Sequence, residues 1–157
     1  MDTIHHEVWI NADRKSVFEA ITAKDGLDAW WGRAVAAVPE IGSLVEFDHG
    51  LGDLLRMRIT DLVPGERVAW ECVSAFSDPT NPASDWLGHR LSFELRTERR
   101  DGVGRLLEPL VTGEEFTVLE FRHAGWATDS RWYAFCNCAW GETLGGGLKN
   151  HCEAASG

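Results

Sequence analysis

Apolar and polar positions alternate over most of the chain and shift to a helical spacing in two places. In residues 3–11, TIHHEVWIN, the residues Ile4, His6, Val8 and Ile10 share one face of a strand, with Trp9 on the outer face. Asp13 fits a helix cap, and Val17, Phe18, Ala20 and Ile21 then describe a short amphipathic helix. Gly26 is expected to interrupt it. Leu27, Trp30 and Trp31 follow at i, i+3 and i+4, one face of a second short helix that Gly32 ends. Strands are predicted at LVEFDHG (44–50), LLRMRITDLV (54–63), RVAWECV (67–73), 87–97 and FTVLEFRH (116–123). Gly50-Leu51-Gly52-Asp53 and Pro64-Gly65-Glu66 read as turns, and SAFSDPTNPASD (74–85) as a loop by composition. Residues 97–115 read as an irregular, partly charged connection.

From Ser130 the period changes. Trp132, Phe135, Cys136, Ala139, Trp140, Thr143, Leu144 and Leu148 form a helical stripe, with Thr128, Asp129 and Ser130 offering a cap. Gly145-Gly146-Gly147 lies inside it, at about 1 kcal/mol per glycine relative to alanine. The pattern predicts one long helix with a weak point. Strand, two short helices, a meander of strands and a long final helix is an α+β order with an antiparallel sheet. Only the last helix is long enough to cover the sheet's apolar face, and a twisted sheet curling round it leaves a wedge between them.

Composition narrows the function. A hydrophobic share of 44% with 25% charged residues describes a globular chain, and a net charge of -10 disfavours nucleic acid and anionic membrane surfaces as partners. No run of eighteen apolar residues is present. The opening MDTIHHEVWI has no basic segment before its apolar stretch, so no signal peptide is expected and the localisation expected is cytoplasmic. Cys72, Cys136, Cys138 and Cys152 lack the spacing of a metal site. On a helix Cys136 and Cys138 point about 200° apart, so reduced thiols and no metal are expected.

Four stretches carry a resemblance to the START-like (SRPBCC) helix-grip superfamily, and within it to the single-domain proteins similar to the activator of the 90-kDa heat-shock-protein ATPase. "VWINADRKSVFEAIT" (8–22) resembles the opening strand and helix, with Asp13 and Phe18 where relatives often have Pro and Trp. "GLDAWWGR" (26–33) resembles the second helix with its Trp-Trp ending. "LVPGERVAWEC" (62–72) is similar to the turn and strand with a Pro-x-x-Arg-Leu-x-Trp pattern. "FRHAGW" (121–126) and "LGGGLKNHCEAASG" (144–157) resemble the last strand and helix end. The departure is 97–115, where relatives often have a short hairpin. The resemblance implies one START-like domain over residues 1–157. Its fold would be a curved antiparallel sheet of about six to seven strands around a long C-terminal helix, with two short helices after the first strand.

That fold supplies a pocket and not an activity. Eight tryptophans in 157 residues are the candidate chemistry. Core packing is the ordinary role of each, but Trp70, Trp132 and Trp140 lie on the faces that should meet. The resemblance places Trp31 at the mouth of the wedge. With Phe47, Met57, Phe93 and Cys136 these residues are expected to line a cavity for a small hydrophobic or aromatic molecule, bound without catalysis and without cofactor.

Two alternatives are carried. A cyclase- or aromatase-like enzyme in the same pocket would need His6 inward and paired with an acid or arginine. A co-chaperone-like protein contact would need an exposed apolar patch. His6 otherwise reads as a satisfied histidine, and His123 as a residue fixing the turn from strand to helix. Arg56, Arg58, Glu71, Glu94 and Glu120 read as outer-face residues.

Overall fold

The computed structural model describes residues 2–50 and 52–156. Strand β1 (Asp2–Ile10) leads into helices α1 (Arg14–Thr22) and α2 (Lys24–Trp30). Strands β2 (Ala34–Ala37), β3 (Leu44–Phe47), β4 (Leu55–Val63), β5 (Arg67–Ser74), β6 (Arg90–Arg99) and β7 (Glu115–Trp126) follow. They form a single antiparallel sheet in the order β1-β7-β6-β5-β4-β3-β2, so the first strand closes against the last. Helices α3 (Tyr133–Glu142) and α4 (Lys149–Ser156) run on from one another through a π-helical turn, Thr143–Leu148. This is the helix-grip fold the sequence implied.

The period-2 pattern determines which side faces the helix. Ile4, Val8 and Ile10 of β1, Val68, Trp70 and Cys72 of β5, and Leu91, Phe93 and Leu95 of β6 are all buried on the inner face. The outer face carries the charges. Arg56 bonds Glu46 at 2.8 Å, Arg58 donates to the Gly42 carbonyl at 3.1 Å, and Glu120 is shared by His5 and Arg96. A second, smaller apolar cluster of Val111, Phe116 and Val118 packs under Trp9 on that side, covered by the connection from β6 to β7.

Three expectations change. The four-residue strand Ala34–Ala37 was not separable from loop, since its one large side chain, Val35, is exposed. The break between the first two helices falls at Ala23, not at Gly26, which sits inside α2. A Cβ at Gly26 would lie 2.6 Å from the Ala20 Cα, so this glycine is a contact point between α1 and α2. Trp30 reinforces it by donating its indole N–H to the Ala20 carbonyl at 2.7 Å. Gly26→Ala should therefore cost about 2 kcal/mol or more through overpacking, read as a lower midpoint in urea with an unchanged slope.

The long helix starts at Tyr133 and not at Ser130, although Ser130 Oγ does accept from the Trp132 backbone N–H. Its weak point is real. The glycines widen the helix by a π turn, and a Cβ at Gly147 would sit 3.0 Å from the Trp30 carbonyl. The turn expected at Gly50-Leu51-Gly52-Asp53 includes Leu51, which lies outside the described residues. Gly50 and Gly52 on either side of it both take positive φ.

Candidate functional site

The loop between β5 and β6 determines the site. Its composition is polar, yet Phe76, Ala83 and Trp86 within it are buried. Asn81 Oδ1 accepts from the Ala83 N–H at 2.8 Å and starts a short 3-10 turn, Pro82–Asp85, which delivers Trp86 inward. Opposite it, α3 presents Cys136, Ala139 and Trp140, and the π turn that follows adds Thr143. Between them lies a cavity of about 350 Å³ that also meets Trp31, Leu55, Phe76 and His49.

Three indoles form its walls. Trp86 and Trp140 lie nearly parallel, 5.8 Å apart at 19°. Trp31 touches both, at 6.2 Å from Trp86 and 5.2 Å from Trp140. Trp31 is also the floor: it stacks on Trp70 at 6.1 Å and 3°, and packs on Phe47 at 4.3 Å. The three indoles are in mutual contact and present one broad aromatic surface to the cavity.

Among the described residues, the lining carries no Lys, Arg, Asp or Glu. Its titratable members are held neutral. Burial, helped by the nearby Arg33 charge, lowers the pKa of His49, and burial pushes the Cys136 thiol up to about 11. The Cys136 S–H points to the Pro82 carbonyl at 3.8 Å. Cys72 and Cys152 are likewise buried thiols, raised to about 12 and about 11. Among the described residues, no cluster of three metal-ligating side chains is formed.

The structure brings Trp31, Cys136 and Trp140 to the cavity and places the other expected residues elsewhere. Phe47, Met57, Trp70 and Phe93 are fully buried core. The expected continuous lining is interrupted because Trp31, itself half-buried, covers Phe47 and Trp70. Trp132 lies on a neighbouring polar groove, its indole donating to the Pro79 carbonyl and its ring under Arg131. His6 does face the helix, but its Nε2 meets the Asn137 carbonyl at 3.0 Å and its ring lies against Gly141. It is a bonded histidine outside the cavity lining.

Residues that the sequence reading did not single out are Trp86, Phe76 and His49. The available signal was the set of apolar residues inside the 74–86 loop, which have to be buried somewhere. His123 has a larger role than fixing a turn. Fully buried, it accepts the Trp140 indole N–H at Nδ1 (3.1 Å) and meets His89 Nδ1 through Nε2 (3.0 Å). It thereby ties β7 to α3 directly behind the cavity wall.

A curved sheet gripping a C-terminal helix, with an apolar cavity between them, defines a helix-grip protein. The family model described as "Activator of Hsp90 ATPase homolog 1-like protein" matches residues 11–153, and the chain belongs to that family. Among solved structures it is similar to the Aha1 dimer of Colwellia psychrerythraea, at 26% identity over 100% of both chains with a TM-score of 0.73. It shares its fold with protein MLL2253 of Mesorhizobium loti, at 15% identity, 95% of each chain and a TM-score of 0.71. It also shares it with DynU16 of the dynemicin biosynthetic locus, at 18% identity and a TM-score of 0.68, covering 99% of this chain and 48% of that one. No curated protein matches the sequence significantly. Among the described residues, no helix is long and apolar enough to cross a membrane.

Proposed function

We propose that the protein binds a small, uncharged, planar aromatic molecule in the cavity bordered by Trp31, Trp86 and Trp140, without transforming it. The observation that carries this reading is a cavity of about 350 Å³ bordered by three indoles and, among the described residues, lined by no formally charged side chain. An apolar ring gains by leaving water for these faces, at about 25 cal/mol per Å² buried. A carboxylate would lose its hydration and find no cation in the lining, and the chain's net charge of -10 adds repulsion. The volume lies at the lower end of ligand sites, which corresponds to two or three fused or linked rings.

The test is a matched titration followed by tryptophan fluorescence, with 2-acetylnaphthalene against 2-naphthoate, and with a fatty acid and a sterol alongside. Saturable quenching by the neutral ketone, at least roughly tenfold tighter than by the carboxylate, is expected. Equal affinity for the two, or a response to none of the four, contradicts the reading.

One observation favours a second reading, protein–protein contact of the kind the family description names. Leu106, Leu107 and Leu110 are exposed together on the β6–β7 connection, Leu106 at 89%. If that patch is the working surface, a Leu106→Asp/Leu110→Asp pair should abolish partner capture while leaving the ketone titration unchanged.

A further inference from the structure

We propose that His89 and His123 make the cavity wall acid-sensitive: a proton taken up at His89 from the adjoining groove releases the Trp140 indole, and ligand affinity falls. The last clause rests on the cavity's being a ligand site; the release of Trp140 does not.

The polarity of this hydrogen-bond chain follows from one residue. An indole N–H can only donate, so His123 Nδ1, 3.1 Å from Trp140 Nε1, must accept. The proton of neutral His123 is then on Nε2, which donates to His89 Nδ1 at 3.0 Å. His89 in turn carries its proton on Nε2. One arrangement satisfies all three rings, and it requires both imidazoles to be neutral.

A second proton on His89 ends that arrangement. With hydrogen on both nitrogens, His89 turns a donor toward His123 Nε2, which must now accept. His123 keeps its single proton but carries it on Nδ1, moved there by exchange with water while the pair is open. Two donors, His123 Nδ1–H and Trp140 Nε1–H, then face each other. His89 gains one proton from solvent in the groove, and no other group changes its proton count.

Bond strength decides which contact yields. A His89 cation makes a charge-assisted bond to His123 Nε2, stronger than the neutral bond from the indole, and His89 is held for it between His123 and Trp126, with ring centroids at 5.1 and 4.7 Å. Trp140 packs on Trp31, Trp86 and Phe121 and borders the 350 Å³ cavity, so the neutral indole bond is the one given up and the change reaches the cavity wall.

The charged groups around the pair favour uptake at His89. Asp85, from the 3-10 turn, faces His89 and stabilises its cation, while Asp129 and Arg131, from the β7–α3 connection, line the same groove. Around His123 the neighbours are His89 and the aromatic rings of Trp86, Trp126 and Trp140. Burial lowers the pKa of both histidines, so the change falls on the acid side of the ordinary histidine range.

The experiment is an NMR pH titration of the whole protein, labelled with ¹⁵N in histidine and tryptophan, from about pH 8 to about pH 5. Affinity for the neutral dye N-phenyl-1-naphthylamine is measured at each pH. The Trp140 indole N–H resonance should move in step with His89, and dye affinity should fall by roughly tenfold, equivalent to one unit of differential pKa. His89→Asn keeps an acceptor at the Nδ1 position without titrating, so both curves should become flat. Trp140→Phe removes the constraint on polarity and should raise the pKa of His89.

A Trp140 resonance that stays still while His89 titrates overturns the proposal, as does an unchanged pH dependence in His89→Asn or an unmoved His89 in Trp140→Phe. Should the dye bind at no pH, the ligand reading fails, and the Trp140 resonance alone still decides the relay.

Discussion

Trp31→Ala should destabilise the protein by about 3 kcal/mol or more and abolish ligand binding, a large effect on both stability and function from one site. Trp31 is only partly buried, yet it touches the aromatic rings of Trp30, Phe47, Trp70, Trp86 and Trp140. Its removal takes away the cavity floor and opens a path from the cavity to Trp70 and Phe47, which are otherwise at 0% exposure. Apolar lining left without partners loses its dispersion contacts, and the backbone of α2 can close the gap only in part. Trp31→Phe keeps a ring over Trp70 and should lose less than half as much. Urea unfolding of the three proteins, followed by far-ultraviolet circular dichroism, gives the comparison. Equal stability of Trp31→Ala and wild type would mean that this indole is rim and not floor.

The second large effect is acid destabilisation through His123. Burial holds its folded-state pKa down at about 3, against the ordinary 6.5 that it regains on unfolding. Above 6.5 the imidazole is neutral in both states and the stabilisation is complete. As the pH falls below 6.5 the unfolded chain binds a proton that the folded chain refuses, and stability is lost progressively toward pH 3. Between pH 6.5 and 4.5 the loss should be about 2–3 kcal/mol at 1.36 kcal/mol per unit, with His89 adding in the same direction. Glu120 and Glu153, whose pKa values are lowered, act below this window, because their stabilisation is lost only as the pH falls through the depressed values. His123→Asn keeps an acceptor for Trp140 but does not titrate, so its unfolding free energy should fall much less steeply than wild type from pH 6.5 to 4.5, the remaining slope being that of His89. A slope like that of wild type would assign the acid sensitivity to other groups.

The sheet was legible because its strands are half-buried, so alternation tells which side faces in. Ala34–Ala37 lacked that contrast and was missed. A glycine in a helical pattern has two uses, breaking a helix and letting another backbone approach, and at Gly26 only the 2.6 Å distance to Ala20 distinguishes them. The same ambiguity governs the site. Phe47, Met57, Trp70 and Phe93 are on the inner face as their period requires, but whether an inner face borders a cavity depends on what lies over it. Here that is Trp31, supplied by another element.

Trp86 was hidden by composition, since Ser, Asp, Pro and Asn around it give the segment a loop's signature while its apolar residues anchor it. The His89–His123–Trp140 chain joins a loop, a strand and a helix, and no local pattern links residues 34 and 17 positions apart. Local periodicity specified the layers; contacts between layers specified the site.

The most direct measurement of the central claim is an NMR titration of the indole N–H resonances with N-phenyl-1-naphthylamine at about pH 7.5. Trp31, Trp86 and Trp140 should shift in a saturable way, while Trp9, on the outer face against Phe116, and Trp132, on the neighbouring groove, should stay in place. Shifts confined to Trp9 and Trp132, or no shift at Trp31, Trp86 and Trp140 with the dye in excess, would contradict a ligand site in this cavity.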